Sequence, residues 1–164
     1  MDEKRLDRFA WKAGVLADRG DTAQAMSEEN VEIVRRIYET VRNCLERGDP
    51  GAWFDLPTVA PDYEWVIGFS IEGQTVWRGR EGYVDFVSAW TESFDEWSFE
   101  VEQLVDAGDD RVVALLQQRA TGKGSGAQVE WSMGQIVFLE QGRAIRTVSY
   151  QEPSEALEAA GLSE

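Results

Sequence analysis

The chain has 164 residues, 43% of them apolar and 29% charged, a length and composition that fit one globular domain. Its net charge of −15 repels phosphate backbones and anionic lipid surfaces, so neither nucleic acid nor a membrane is expected as a partner. It contains no histidine and one cysteine, Cys44, which excludes an intrachain disulfide, Ser-His-Asp and Cys-His catalysis, and His-ligated metals.

No zinc or iron–sulfur site, and no other cofactor, is expected from that composition. Proton transfer is left to carboxylates, Tyr, Lys and Arg. Seven Trp are many for this length and suggest a large aromatic wall or an interface, because each buries a large ring and carries one N–H that needs a partner. The chain opens on Met1-Asp2-Glu3-Lys4-Arg5 with no long apolar run behind it. That is neither a secretory signal nor a membrane span, so a cytoplasmic location is expected.

Residues 1–25 hold five acidic and five basic side chains, so all of the negative charge belongs to 26–164. Leu6, Phe9, Ala13 and Leu16 recur at helical spacing before Arg19-Gly20-Asp21 interrupts them. The segment 1–25 reads as an extension: either an amphipathic helix that docks on the domain or a second subunit, or an unstructured leader. The domain proper is placed at 26–164.

Ser27 followed by Glu28 and Glu29 reads as a helix N-terminus, and the stripe Val31, Val34, Tyr38, Val41, Leu45 predicts a helix over about 27–47. Cys44 falls within it, where a free cysteine is most often a small buried apolar group. Gly48-Asp49-Pro50 ends the helix. A short helix then carries Ala52, Trp53, Phe54 and Leu56. Alternation over 62–67 predicts a strand with Tyr63, Trp65 and Ile67 on one face and Asp62, Glu64 and Val66 on the other. Residues 73–79 read as a looser stretch. A helix over about 80–94 follows, with Tyr83, Val87, Trp90 and Phe94 on its apolar face.

The last third reads as an antiparallel meander with strands at about 97–106, 111–121, 127–140 and 143–151, divided by Gly- and Asp-rich turns. A short helix over 154–160 closes the chain. The turn Gly122-Lys123-Gly124-Ser125-Gly126 lacks the following helix that a phosphate cradle requires, so it reads as a hairpin. Helices first and hairpins later predict an α+β domain with helices on one face of the sheet.

Several polar residues fall among apolar ones. Tyr38 lies inside a helix stripe, where its hydroxyl either bonds to backbone or donates to a ligand carbonyl. Val113, Leu115, Gln117 and Arg119 are in phase on one strand, and Val129, Trp131, Met133 and Gln135 on the next. If Val113 and Leu115 face the core, Arg119 reaches the end of the same face, to pair with Glu64, to bind an anionic group or to cap the rim in water. Gln135 is either a structural amide or one that orients a ligand. Trp65, Trp90 and Tyr150 complete the set of expected ligand contacts.

The order of several motifs is familiar. Ala60-Pro61-Asp62-Tyr63-Glu64-Trp65, then Trp77-Arg78-Gly79-Arg80-Glu81-Gly82 opening a helix, then Asp106-Ala107-Gly108-Asp109-Asp110-Arg111-Val112-Val113, Gln141-Gly142-Arg143 and Glu155-Ala156-Leu157-Glu158-Ala159-Ala160-Gly161-Leu162 resemble the SnoaL-like branch of the nuclear transport factor 2-like superfamily. The resemblance covers about 27–162. It implies a cone: three N-terminal helices closing over a strongly curved, mixed, mostly antiparallel sheet, often as a homodimer.

The superfamily includes polyketide cyclases, ketosteroid isomerase, epoxide hydrolases, dehydratases and proteins without catalysis, so the fold alone does not select a function. The resemblance places the isomerase base near Ile67 and its second acid near Trp131, and neither is a carboxylate here. Glu64 and Asp62 are the carboxylates nearest the expected mouth. Three readings follow, of which the first is preferred. One is a protein that binds a small apolar or cyclic molecule in an aromatic pocket without efficient catalysis. Another is a proton-transfer enzyme (isomerase, cyclase or dehydratase) with Glu64 as acid or base, Tyr38 and Gln135 as donors and Arg119 steadying negative charge. The third is a homodimeric interaction module.

Overall fold

A computed structural model describes residues 18–71 and 74–162; the expected helix carrying Leu6 to Leu16 lies outside them. Helix α1 spans Asp18–Arg47. Its inward face is Val34, Ile37, Tyr38, Val41 and Cys44, all buried, at the spacing that stacks side chains on one side of a helix. Ser27 is interior to α1 rather than its cap: the helix includes the nine residues before it, from Asp18. Gly48, at φ 77°, closes the helix, and the N–H of Asp49 reaches back to the Cys44 carbonyl at 2.9 Å.

A single 3₁₀ turn, Ala52–Asp55, drives Trp53 into the core. Strand β1 (Val59–Ile71) and strand β2 (Gln74–Arg78) pair antiparallel. β2 replaces the looser stretch expected at 73–79. Helix α2 is Gly79–Thr91, and the long strands β3 (Phe94–Gly108), β4 (Arg111–Gly122), β5 (Gln128–Glu140) and β6 (Arg143–Tyr150) follow. Phe94 therefore opens β3 instead of ending α2. Helix α3 is Pro153–Ala159, started by the proline and by the backbone N–H of Glu152 donating to the Glu155 carboxylate at 3.0 Å.

The six strands form one sheet in the order β2-β1-β6-β5-β4-β3. β1 and β6 run parallel, and every other neighbouring pair is antiparallel. The expected α+β cone is the fold: α1, the 3₁₀ turn and α2 pack on one face of a mixed sheet, and the main core lies between them. A smaller apolar cluster on the opposite face, including Val105, Val113 and Ile136, is covered by Ala156 and Ala160 of the α3 region. Among the described residues no helix is long and apolar enough to cross a membrane.

α3 sits so close to the sheet that only a glycine fits beneath it. A Cβ at Gly134 would lie 2.6 Å from the Ala156 Cβ and 3.3 Å from the Pro153 Cα. The other end of α3 is pinned by Arg111, whose guanidinium donates to the Ala160 carbonyl at 3.3 Å. Gly134→Val is therefore expected to lift α3 and lower stability by about 1–3 kcal/mol, the usual cost of overpacking, as read by urea unfolding. Unchanged stability would mean that α3 is not held against β5.

Candidate functional site

The face of the sheet that meets α1 and α2 does not close completely. A cavity of about 60 Å³ remains inside the cone. α1 supplies Val34, Ile37, Tyr38 and Val41, and the 3₁₀ turn supplies Trp53. β1 supplies Tyr63, Trp65 and Ile67, the three residues of one strand face, and α2 supplies Tyr83, Phe86 and Trp90. The rest comes from the long strands: Trp97 and Phe99 of β3, Leu116 and Gln118 of β4, Met133, Gln135 and Val137 of β5, and Thr147 and Ser149 of β6. On its outer side Tyr38 also borders a polar groove between α1 and β3, lined by Arg35, Arg42, Glu100 and Glu102.

The aromatic walls are mutually packed. The Trp53 ring lies 4.4 Å from Phe54, 5.0 Å from Tyr83 and 5.3 Å from Tyr63, centre to centre. Trp65 meets Tyr83 edge-on at 5.1 Å. Such tilted and edge-to-face contacts add to the stabilisation from the area each ring removes from water.

The polar groups of the cavity are neutral, and most of them are bonded to one another. Tyr38 donates its hydroxyl to Gln135 Oε1 at 2.5 Å, and Gln135 Nε2 donates to Ser149 Oγ at 3.0 Å. The hydroxyls of Tyr63 and Thr147 bond to each other. Trp97 Nε1 donates to Gln118 Oε1 at 2.6 Å, and Gln118 Nε2 is left with the sulfur of Met133, a weak acceptor. Trp65 Nε1 is buried without a hydrogen-bond partner. Burial pushes the phenols of Tyr38, Tyr63 and Tyr83 above their ordinary value of 10.0, because an ionised phenol loses its hydration there. Cys44 is buried on α1, and burial pushes its thiol up as well, the reverse of what a nucleophile needs.

Of the residues expected to contact a ligand, the fold brings Tyr38, Trp65, Trp90, Met133 and Gln135 to this cavity and places the others elsewhere. Trp131 is on the same sheet face but beyond the lining, packed 6.2 Å from Trp90 and 6.3 Å from Phe94. Arg119 is exposed and faces Glu130 at 3.5 Å. Tyr150 packs with the cluster beneath α3.

Glu64 points away from the cavity, because successive side chains of a strand alternate and its neighbours Tyr63 and Trp65 point in. It pairs instead with Arg78 across the β1–β2 ladder at 2.8 Å, an exposed ion pair of small energetic weight. Among the described residues no carboxylate, lysine or arginine lines the cavity. Among the described residues no three of His, Cys, Asp and Glu come together as metal ligands.

Polar residues that the sequence reading missed include Thr147, Ser149 and, most consequentially, Gln118. Val112, Val113 and Ala114 are all buried, since β4 is covered on both faces, so its burial pattern gives no phase. The phase is set by the hairpin. Leu116 pairs with Met133 and Gln118 with Trp131, and directly paired residues share a face. With Met133 inward, Leu116 and Gln118 are inward too, and Leu115, Gln117 and Arg119 face the other way. The pairing of the two strands was the signal that could have found it.

A family model described as a SnoaL-like domain matches residues 34–147. The chain belongs to the SnoaL-like domain family. No functionally curated protein matches it. Among solved structures, this SnoaL-like chain is similar to a nuclear transport factor 2-like protein of unknown function from Burkholderia pseudomallei, at 20% identity and a TM-score of 0.61 over 79% of this chain and 95% of that one. It is similar to TerC, co-crystallised with polyporic acid, at 16% identity and a TM-score of 0.62 over 81% and 98%. A candidate SnoaL-like polyketide cyclase from Jannaschia shares 19% identity, with a TM-score of 0.61 over 84% and 94%. At these identities what is shared with them is the fold.

Proposed function

We propose that this SnoaL-like protein binds a small, neutral, largely apolar molecule inside the cone and does not carry out efficient acid–base chemistry on it. The observation that carries this reading is the composition of the cavity wall: aromatic and aliphatic side chains with a few neutral hydrogen-bonding groups and, among the described residues, no ionisable group except phenols held protonated by burial. Ligand sites are lined in this way, with a small number of polar groups fixing orientation. A general base needs a pKa near the working pH and a place within hydrogen-bond reach of the substrate, and Glu64, the carboxylate proposed for that role, lies on the other face of β1. TerC, a relative in fold, has been crystallised with a small organic molecule, which supports a ligand-binding use of such a cone.

The open space of about 60 Å³ holds only a few water-sized spheres. A ring therefore enters by moving a side chain, and Met133, unbranched and polarisable, is the wall residue best able to move. Ethylbenzene, a neutral single-ring probe, is expected to raise the melting temperature in proportion to the logarithm of its concentration above Kd. Leu116→Phe, which fills the cavity, should remove that shift, and Glu64→Gln should leave it unchanged. No stabilisation of the wild-type chain at saturating probe, or loss of the effect in Glu64→Gln, would contradict the reading.

A further inference from the structure

The two buried glutamines of the cavity differ in one respect that bears on what the ligand must carry. Gln135 lies between the hydroxyls of Tyr38 and Ser149. Each hydroxyl can donate or accept, so the amide can turn over and remain bonded. Gln118 cannot. Its partner on one side is Trp97 Nε1, at 2.6 Å, and an indole N–H only donates. The atom facing Trp97 must be the carbonyl oxygen, so the NH₂ group is directed to the other side, where it meets the Met133 sulfur. A buried N–H on a thioether has exchanged water for a weak acceptor and is left under-satisfied. Trp65 Nε1, buried and without a partner, adds a further donor to the same cavity wall, and among the described residues no side chain there carries a charge.

Resting on the ligand-binding reading above, we propose that Gln118, held in one orientation by Trp97, is the specificity-determining residue of the cavity, and that it selects a neutral ligand presenting a hydrogen-bond acceptor, such as a carbonyl oxygen. The coupling is steric as well as polar. The ring that displaces Met133 takes away the partner of the Gln118 amide. A ligand with an acceptor at that position restores a bond, and a stronger one; a pure hydrocarbon leaves the buried amide N–H unpaired. Discrimination of this kind is larger than that from apolar contact alone, because a buried polar group penalises the ligand that cannot answer it. Gln118 is 5% exposed, so water does not relieve it.

The test compares acetophenone with ethylbenzene, which share a ring and a two-carbon arm but differ in the carbonyl, by protein-observed NMR titration of the full chain. The quantity read is the acetophenone-to-ethylbenzene affinity ratio, compared between wild type and variant so that the difference in hydration of the two probes cancels. The ratio is expected to fall about tenfold in Gln118→Leu, a difference of about 1.4 kcal/mol, while continued binding of ethylbenzene reports that the cavity is still formed. Trp97→Phe leaves Gln118 in place but frees its amide to turn, and the ratio should fall there as well; this variant carries the test if Gln118→Leu does not fold. A ratio unchanged in either folded variant overturns the assignment of Gln118 and leaves ligand binding standing. Failure of both probes to bind the wild-type chain overturns the binding reading itself.

Discussion

Trp53→Ala is expected to lower the unfolding free energy by about 3–5 kcal/mol, the range for deleting a large aromatic side chain from a core. Trp53 is fully buried and is the common neighbour of four rings, Phe54, Tyr63, Trp65 and Tyr83. Those rings come from the 3₁₀ turn, β1 and α2, so removing Trp53 opens a void where three elements meet and loosens the floor of the cavity with it. Domains are stable by about 5–15 kcal/mol in total, so the loss is a large fraction of what holds the cone together. Urea unfolding followed by far-ultraviolet circular dichroism measures it. Trp53→Phe, which keeps a ring, should cost clearly less. A loss below about 1 kcal/mol for the alanine variant would mean that the ring cluster closes over the gap and is not a rigid floor.

The second large effect is alkaline. Tyr38, Tyr63 and Tyr83 are buried, and desolvation is the first cause of the raised pKa of each, with Coulombic coupling among the phenols a further cause for Tyr38 and Tyr83. The sign follows from linkage. A group whose folded pKa lies above its unfolded value binds its proton more tightly when folded. Its contribution is whole below the unfolded value of 10.0 and is lost as pH rises from there through the folded one. With three such phenols the slope reaches about 4 kcal/mol per pH unit once the unfolded chain is ionised, at about 1.4 kcal/mol per proton. Stability should therefore be insensitive to these groups from pH 6 to 9 and collapse cooperatively above pH 10. Phenolate absorbance should appear together with loss of secondary structure rather than before it. Ionisation of all the tyrosines at ordinary values in a chain that stays folded would show that water reaches the phenols.

Much of the fold is legible in the sequence because its elements rest on local rules. The stripe Val34, Tyr38, Val41 gives the inward face of α1, the alternation at 62–67 gives the inward face of β1, and the turn residues divide the meander. What local rules misplace has physical causes. β2 is five residues long and is a strand because β1 pairs with it, not because its own pattern is strong. Phe94 continues the four-residue spacing of Trp90, yet reaches the same aromatic layer from the start of β3, 5.5 Å from Trp90; burial in a layer does not reveal the element that delivers it.

Ser27 is a good cap by type, but Ala23, Gln24, Ala25 and Met26 before it are strong helix formers, and α1 runs on. The site was legible in part for the same reasons. Tyr38, Trp65, Trp90, Met133 and Gln135 follow from helix stripes and strand parity. Gln118 depends on the register between two strands, which one strand's burial pattern cannot give when both its faces are covered. Glu64 is the carboxylate nearest the expected mouth by chemistry, but its own strand's alternation sends it outward.

The claim that the cone holds a ligand is tested most directly by following the tryptophan indole N–H resonances of the full chain during titration with ethylbenzene. Saturable shifts are expected for the Trp65 and Trp97 resonances, whose rings line the cavity, with little change at Trp77 and Trp131, which do not. Saturable shifts confined to Trp77 or Trp131, or no saturable shift at any of the four, would contradict it.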